Sequence, residues 1–126
     1  MSGDDLKRVR QTLCEIRDYC ERIALHLHRI NGKDGFLHDL MCQDACVMIL
    51  GQIGEESKKI YEWLSVNSDY NWKDVIKFRD FIYHAYSQVN YNLVWSVLEK
   101  DLPKVMLETV TLIDTLTKTI TQTENK

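Results

Sequence analysis

The stretch RDFIYHAY, residues 79 to 86, sets an arginine, an aspartate, a histidine and two tyrosines within eight positions. On a helix advancing about 100° per residue, Asp80 and His84 are four apart and share a face, so the carboxylate can reach the imidazole. A carboxylate there fixes the ring's orientation and favours its protonated form. Lys73 and Lys77 lead into the pair at the same spacing, and a short basic stripe ending in an oriented histidine suits a phosphate-bearing substrate. Arg79 does not join them. It lies five residues before His84, about 140° round the axis, and aligns instead with Tyr83 and Tyr86. One straight helix therefore does not aim Arg79 and His84 at a single atom. Three solutions stand open: the helix distorts or ends near His84, the long arginine wraps round, or two copies of the chain complete the site. Bundles with an apolar face left over often dimerise. Taken alone, Asp80 and His84 also read as an ordinary surface contact, and Tyr86 as ordinary core.

The flanking sequence supplies the elements that must position this stretch. Leu6, Val9, Leu13, Ile16, Cys20, Ile23, Leu27 and Ile30 recur in steps of three and four, which predicts one long amphipathic helix over 4–30. Asn31-Gly32 ends it with residues that tolerate a left-handed C-cap. A second helical stretch over about 37–64 is apolar around most of its circumference in MCQDACVMILGQI, the pattern of a central helix. SVNSDYN (65–71) reads as a loop, with Asn71 or Asp69 as a cap. Trp72, Val75, Ile76, Phe78, Ile82, Tyr86 and Val89 pattern a third helix, and Asn90 opens a short fourth. Asp101-Leu102-Pro103 reads as a cap followed by a first-turn proline, and the tail TQTENK as frayed. No stretch alternates like a strand. The sequence predicts an all-α, up-down bundle of four to five helices: one domain over 1–126, ordered over about 4–120.

Composition narrows the functional classes. The chain of 126 residues is 44% hydrophobic and 28% charged, with one proline, enough for a single core and not two. The charged start MSGDDLKRVR has no apolar signal region, and the longest apolar run, ACVMIL, is too short for a membrane span. A cytoplasmic protein with no membrane partner is expected. A net charge of −3 argues against nucleic-acid binding by bulk electrostatics, so contact with RNA must come from a local patch. Cys14, Cys20, Cys42 and Cys46 form no CxxC pair, and a reducing compartment keeps them as thiols. His38, Cys42 and Cys46 recur every fourth residue like ligands on one face, but no second ligand pair follows. Neither a metal nor any other cofactor is expected.

RDFIYHAY does not stand alone. ILGQIGEES (49–57), NW (71–72), RDFIYHAY, VNYNLVW (89–95) and DLP (101–103) follow in an order that resembles the HepT-like toxins of the HEPN superfamily. The resemblance runs from about Leu6 to Leu116. Its centre is the arginine, four spacers, histidine, one spacer, tyrosine pattern, matched by Arg79, His84 and Tyr86. It implies a helical bundle that forms a homodimer, with the motif lining a cleft between protomers. It also implies a metal-independent ribonuclease, the toxin of a type II toxin–antitoxin system. Its partner is a minimal nucleotidyltransferase antitoxin that transfers AMP to the motif tyrosine, Tyr86 here. On that basis His84 is the general acid or base, and Arg79 stabilises charge on the phosphate. Asp80 stands where the family most often has asparagine; a carboxylate holds the imidazole more strongly but adds negative charge beside a phosphate. Glu55, in the matched Gly54-Glu55, is a further candidate for the cleft, with a helix-surface carboxylate as the alternative. The loop before Trp72 lacks the prolines common in relatives. The competing function is a catalytically weak helical module that pairs with, and is modified by, the nucleotidyltransferase, towards which the acidic pI of about 5.8 leans.

Overall fold

The structure, a computed structural model, describes residues 1–85 and 89–125, with Arg79 and residues 81–85 described by their backbone only. Among these residues the chain is all-helical. Four long helices, α1 (Gly3–His28), α3 (Leu40–Lys59), α5 (Trp72–Ala85) and α7 (Leu102–Glu124), form the bundle. Short helices α2 (Gly32–Leu37), α4 (Tyr61–Asn67) and α6 (Tyr91–Ser96) connect them, and a π-helical turn, Val97–Asp101, joins α6 to α7.

A capping box starts α1. The Asp5 N–H donates to the Ser2 hydroxyl and the Ser2 N–H donates to the Asp5 carboxylate, satisfying two end donors. The predicted apolar seam is the buried face: Leu13, Ile16 and Ile23 are fully enclosed, with Val9 and Cys20 nearly so. α1 packs against both α3 and α7. Lys7, near the start of α1, meets Glu124 at the end of α7 at 2.7 Å. Cys42 Sγ, near the start of α3, lies 4.0 Å from the His26 carbonyl oxygen near the end of α1. Both neighbours thus run antiparallel to α1, as an up-down order requires.

Between α1 and α3 the chain does more than turn. Gly32 takes the left-handed conformation, φ +63°, where only glycine is free of strain. It opens the single-turn α2, whose Phe36 is fully buried against Tyr91 and Trp95 of α6, ring centroids 6.4 and 5.5 Å away. The expected stretch 37–64 is two helices. Ile60 leaves helical geometry at φ −115°, ψ 18°, and both Ile60 and Leu64 of α4 are buried. α3 is buried around most of its circumference, from Cys42 to Ser57, and packs against α1 and α5. At the far end α7 stays helical to Glu124, beyond the expected fraying point, where Lys7 holds it.

Asn90 caps α6 as expected, its side-chain oxygen accepting from the Asn92 and Leu93 N–H groups. Asp101 does not cap α7. It sits in right-handed helical geometry, φ −91°, ψ −40°, and makes no capping hydrogen bond. The reason is Pro103, which lacks an N–H and crowds the carbonyl four residues back, at Glu99. The backbone responds by widening into the π-turn, in which the Leu102 N–H donates to the Val97 carbonyl, and not by breaking.

Candidate active site

α5 is built as an amphipathic helix. Trp72 anchors its first turn, 2% exposed, with Val75 and Phe78 packed partly on the core and Lys73 and Lys77 exposed. The Ser68 hydroxyl ties this start to α7. It accepts from the Trp72 indole N–H at 2.9 Å and from the Tyr70 N–H at 3.3 Å, and donates to Glu108 of α7 at 3.1 Å. Asn71, expected as a cap, donates through its side-chain amide to Asp74 at 3.3 Å.

The backbone of α5 is α-helical through both position 79 and position 84. Their separation round the axis is therefore the about 140° of a regular helix. Lys73, Lys77, Asp80 and position 84 follow steps of four, three and four, one continuous stripe on the side of α5 away from Val75 and Phe78. Asp80 in that stripe is half-buried. The Asp80–His84 and Arg79–phosphate roles involve side chains outside the described ones, and Tyr86 lies outside the described residues altogether. The described part of α5 runs to Ala85, and Val89, the next described residue, is packed on the core.

Glu55 lies on α3, the helix packed against α5, half-buried with its Oε2 shielded from solvent. Its neighbour Glu56 is the more buried carboxylate, 7% exposed, and pairs with Lys59 at 2.8 Å. That hydrogen bond is the first cause of a raised Lys59 pKa. Sequence reasoning missed Glu56 because position 56 sits in an all-round apolar helix that gives no directional signal.

His38, Cys42 and Cys46, which recur every fourth residue, do not come together. Cys42 and Cys46 are buried with their sulfurs 4.0 Å apart, while His38 stays exposed with Nδ1 2.8 Å from the Asp34 carbonyl oxygen. Among the described residues no cluster of histidine, cysteine or acidic side chains has metal-holding geometry. None of their helices is long and apolar enough to cross a membrane. The side of α5 bearing Val75 and Phe78 closes one wall of a cleft of about 310 Å³ between α3, the π-turn and the start of α7.

Comparison with known proteins identifies the family. The model of the family described as "HepT-like: Ribonuclease HepT-like" matches residues 16–113, a span that includes all of α3, α5 and α6. The chain is 31% identical over 101 residues, 79% of its length and 89% of the relative's, to "Putative RNase TTE0752" of Caldanaerobacter subterraneus subsp. tengcongensis. It is 29% identical over 96 residues, 71% of its length and 87% of the relative's, to "Probable ribonuclease HepT" of Thermococcus cleftensis. It is also 29% identical over 80 residues, 58% of its length and 68% of the relative's, to "Putative RNase MJ1380" of Methanocaldococcus jannaschii. No solved structure matches. The family match over residues 16–113, carried by an all-helical bundle, places this chain in the HepT-like ribonuclease family.

Proposed function

We propose that the chain is a metal-independent endoribonuclease that acts on RNA as a homodimer, the toxin of a type II toxin–antitoxin pair. The observation that carries this reading is the family match over residues 16–113, which spans the whole of α5. The exposed Lys73 and Lys77, in line with positions 80 and 84 on a regular helix, support it by offering local positive charge on a chain of net charge −3.

The ribose 2′-OH attacks the adjacent phosphorus, and an O2′–P bond forms as the P–O5′ bond breaks, leaving a 2′,3′-cyclic phosphate on one fragment and a 5′-hydroxyl on the other. His84 either takes the 2′-OH proton or protonates the departing 5′ oxygen, and water carries the other proton transfer. Arg79 donates to the non-bridging oxygens as negative charge builds there. Asp80 holds the imidazole, Glu55 supports the cleft from α3, and Lys73 and Lys77 meet the RNA backbone. No step in this scheme calls on a metal. A nucleotidyltransferase antitoxin joins AMP from ATP to the Tyr86 phenol oxygen, releasing pyrophosphate. The added anion then blocks RNA by bulk and by repulsion.

The unmodified protein is expected to cleave RNA in excess chelator, with His84→Ala and Arg79→Ala each reducing the rate at least about 100-fold, the scale of one acid–base or charge-stabilising group. Equal cleavage by the His84→Ala protein would remove the assignment. A catalytically weak module that only pairs with its modifying enzyme is the second reading, favoured by the net negative charge; it predicts no cleavage by the unmodified wild-type chain.

A further inference from the structure

The cleft beside α5 is distinct from the Lys73–His84 stripe, which lies on the other side of that helix. Its floor is apolar, with Leu50 and Ile53 from α3 and Val75 and Phe78 from α5 among its walls. A volume of about 310 Å³ is at the lower end of what small-molecule sites enclose. Its rim is polar and unequal in sign. Asp74 comes from the first turn of α5, where Asn71 donates to it at 3.3 Å, and Asp101 from the end of the π-turn; Lys104 and Tyr70 also line the cleft. Both carboxylates bear on the Tyr70 phenol, whose pKa is raised first by burial and then by Asp101 and Asp74. Asp101 occupies the position of a helix cap yet makes no capping bond, because the π-turn delivers it already helical. Asp101 lines the cleft and is not spent on the helix end. π-turns of this kind recur at functional sites.

We propose that this cleft is a binding site for a small organic monocation with a flat apolar body, an aryl-alkyl amine. The body lies on Leu50, Ile53, Val75 and Phe78. The ammonium meets Asp74 and Asp101 at the rim, where two carboxylates exceed the one lysine by a single charge. This inference does not rest on the ribonuclease reading.

Tryptamine is the probe, titrated into the full-length protein labelled with nitrogen-15 and followed by amide shifts. Neutral N-acetyltryptamine and anionic indole-3-acetate are run beside it. Saturable shifts centred on Asp74, Val75 and Lys104 are expected, with the neutral and anionic compounds bound about tenfold or more weakly, as for loss of a charge-assisted hydrogen bond. Asp101→Asn, isosteric and without a cap bond to lose, is expected to weaken tryptamine about tenfold and leave N-acetyltryptamine unchanged. Val75→Phe fills the floor and is expected to weaken both. Any of three results overturns the proposal: no saturable binding, equal binding of the three compounds, or shifts centred elsewhere. A Val75→Phe protein that fails to fold leaves the Asp101→Asn arm to decide.

Discussion

At the scale of residues, the sequence offers a candidate site as a set of types and spacings, while its closure is not legible there. Arg79, Asp80, His84 and Tyr86 stand out because four chemistry-bearing side chains in eight positions exceed what a core helix needs. Helix geometry alone separated Asp80 and His84 from Arg79, and the regular backbone of α5 keeps that separation. The AMP acceptor is tested by intact mass after co-expression with the nucleotidyltransferase: adenylyl additions are expected on the wild-type chain and absent from Tyr86→Phe. Retained additions on Tyr86→Phe would move the acceptor elsewhere. The cysteines belong to the core and not to the chemistry. Burial pushes Cys20 and Cys46 up to about 12 and raises Cys42 too. At pH 7 a thiol at about 12 is thiolate on the order of one part in 10⁵, against a few per cent for a free one. Native protein treated with maleimide at pH 7 is therefore expected to label at the half-exposed Cys14, with Cys20, Cys42 and Cys46 reacting only in denaturant. Fast labelling of Cys42 or Cys46 would mean that the α1–α3 seam opens freely.

At the scale of elements, strong periodicity was readable and short-range accommodation was not. The seam of α1 and the cap at Asn90 follow from side-chain spacing and one hydrogen-bonding residue. α2 is a single turn, too brief to show a period, and exists because Phe36 has α6 rings to pack on. The break at Ile60 is set by burial of Ile60 and Leu64, which no local propensity announces. Asp101 before Pro103 had the composition of a cap, but the π-turn that absorbs the proline leaves nothing to cap. The Ser68 hydroxyl was equally invisible, because its partners Trp72 and Glu108 come from two different helices. Removing it leaves the buried indole N–H without its acceptor, at a cost of about 1–3 kcal/mol. Ser68→Ala is thus expected to lower unfolding free energy in urea by that amount and to red-shift tryptophan emission. Ser65→Ala, which loses an exposed local bond to the Glu62 carbonyl, is the near-neutral control. Equal stability of the two variants would show that the α4–α5 corner is held by packing alone.

At the scale of the whole molecule, α1 and α7 are clamped at their outer ends by Lys7 and Glu124. Their hydrogen bond lowers the Glu124 pKa below 4.5 and raises that of Lys7 above 10.5. A depressed acid stabilises above its unfolded value and loses this as pH falls through the folded one; a raised base stabilises below its unfolded value. The clamp is therefore complete between those two values and is lost below the first, and salt weakens it because both groups are exposed. Amide protection in the last turn of α7 is expected to fall, as the pH drops below the ordinary carboxylate range, before the core does, and Glu124→Gln to abolish that pH dependence. Under the proposed mechanism Arg79 and His84, about 140° apart on one helix, must serve one phosphate. If two protomers share each site, Arg79 comes from one chain and His84 from the other. A mixture of Arg79→Ala and His84→Ala proteins, unfolded together and refolded, then forms mixed dimers with one intact site and one doubly damaged. Random pairing makes half the dimers mixed, so roughly a quarter of wild-type activity is expected from two proteins that are each inactive alone. A site built within one chain gives none, because no protomer carries both residues. Absence of recovery, with dimers verified by light scattering, would return the site to a single subunit and leave the arginine to wrap round its own helix.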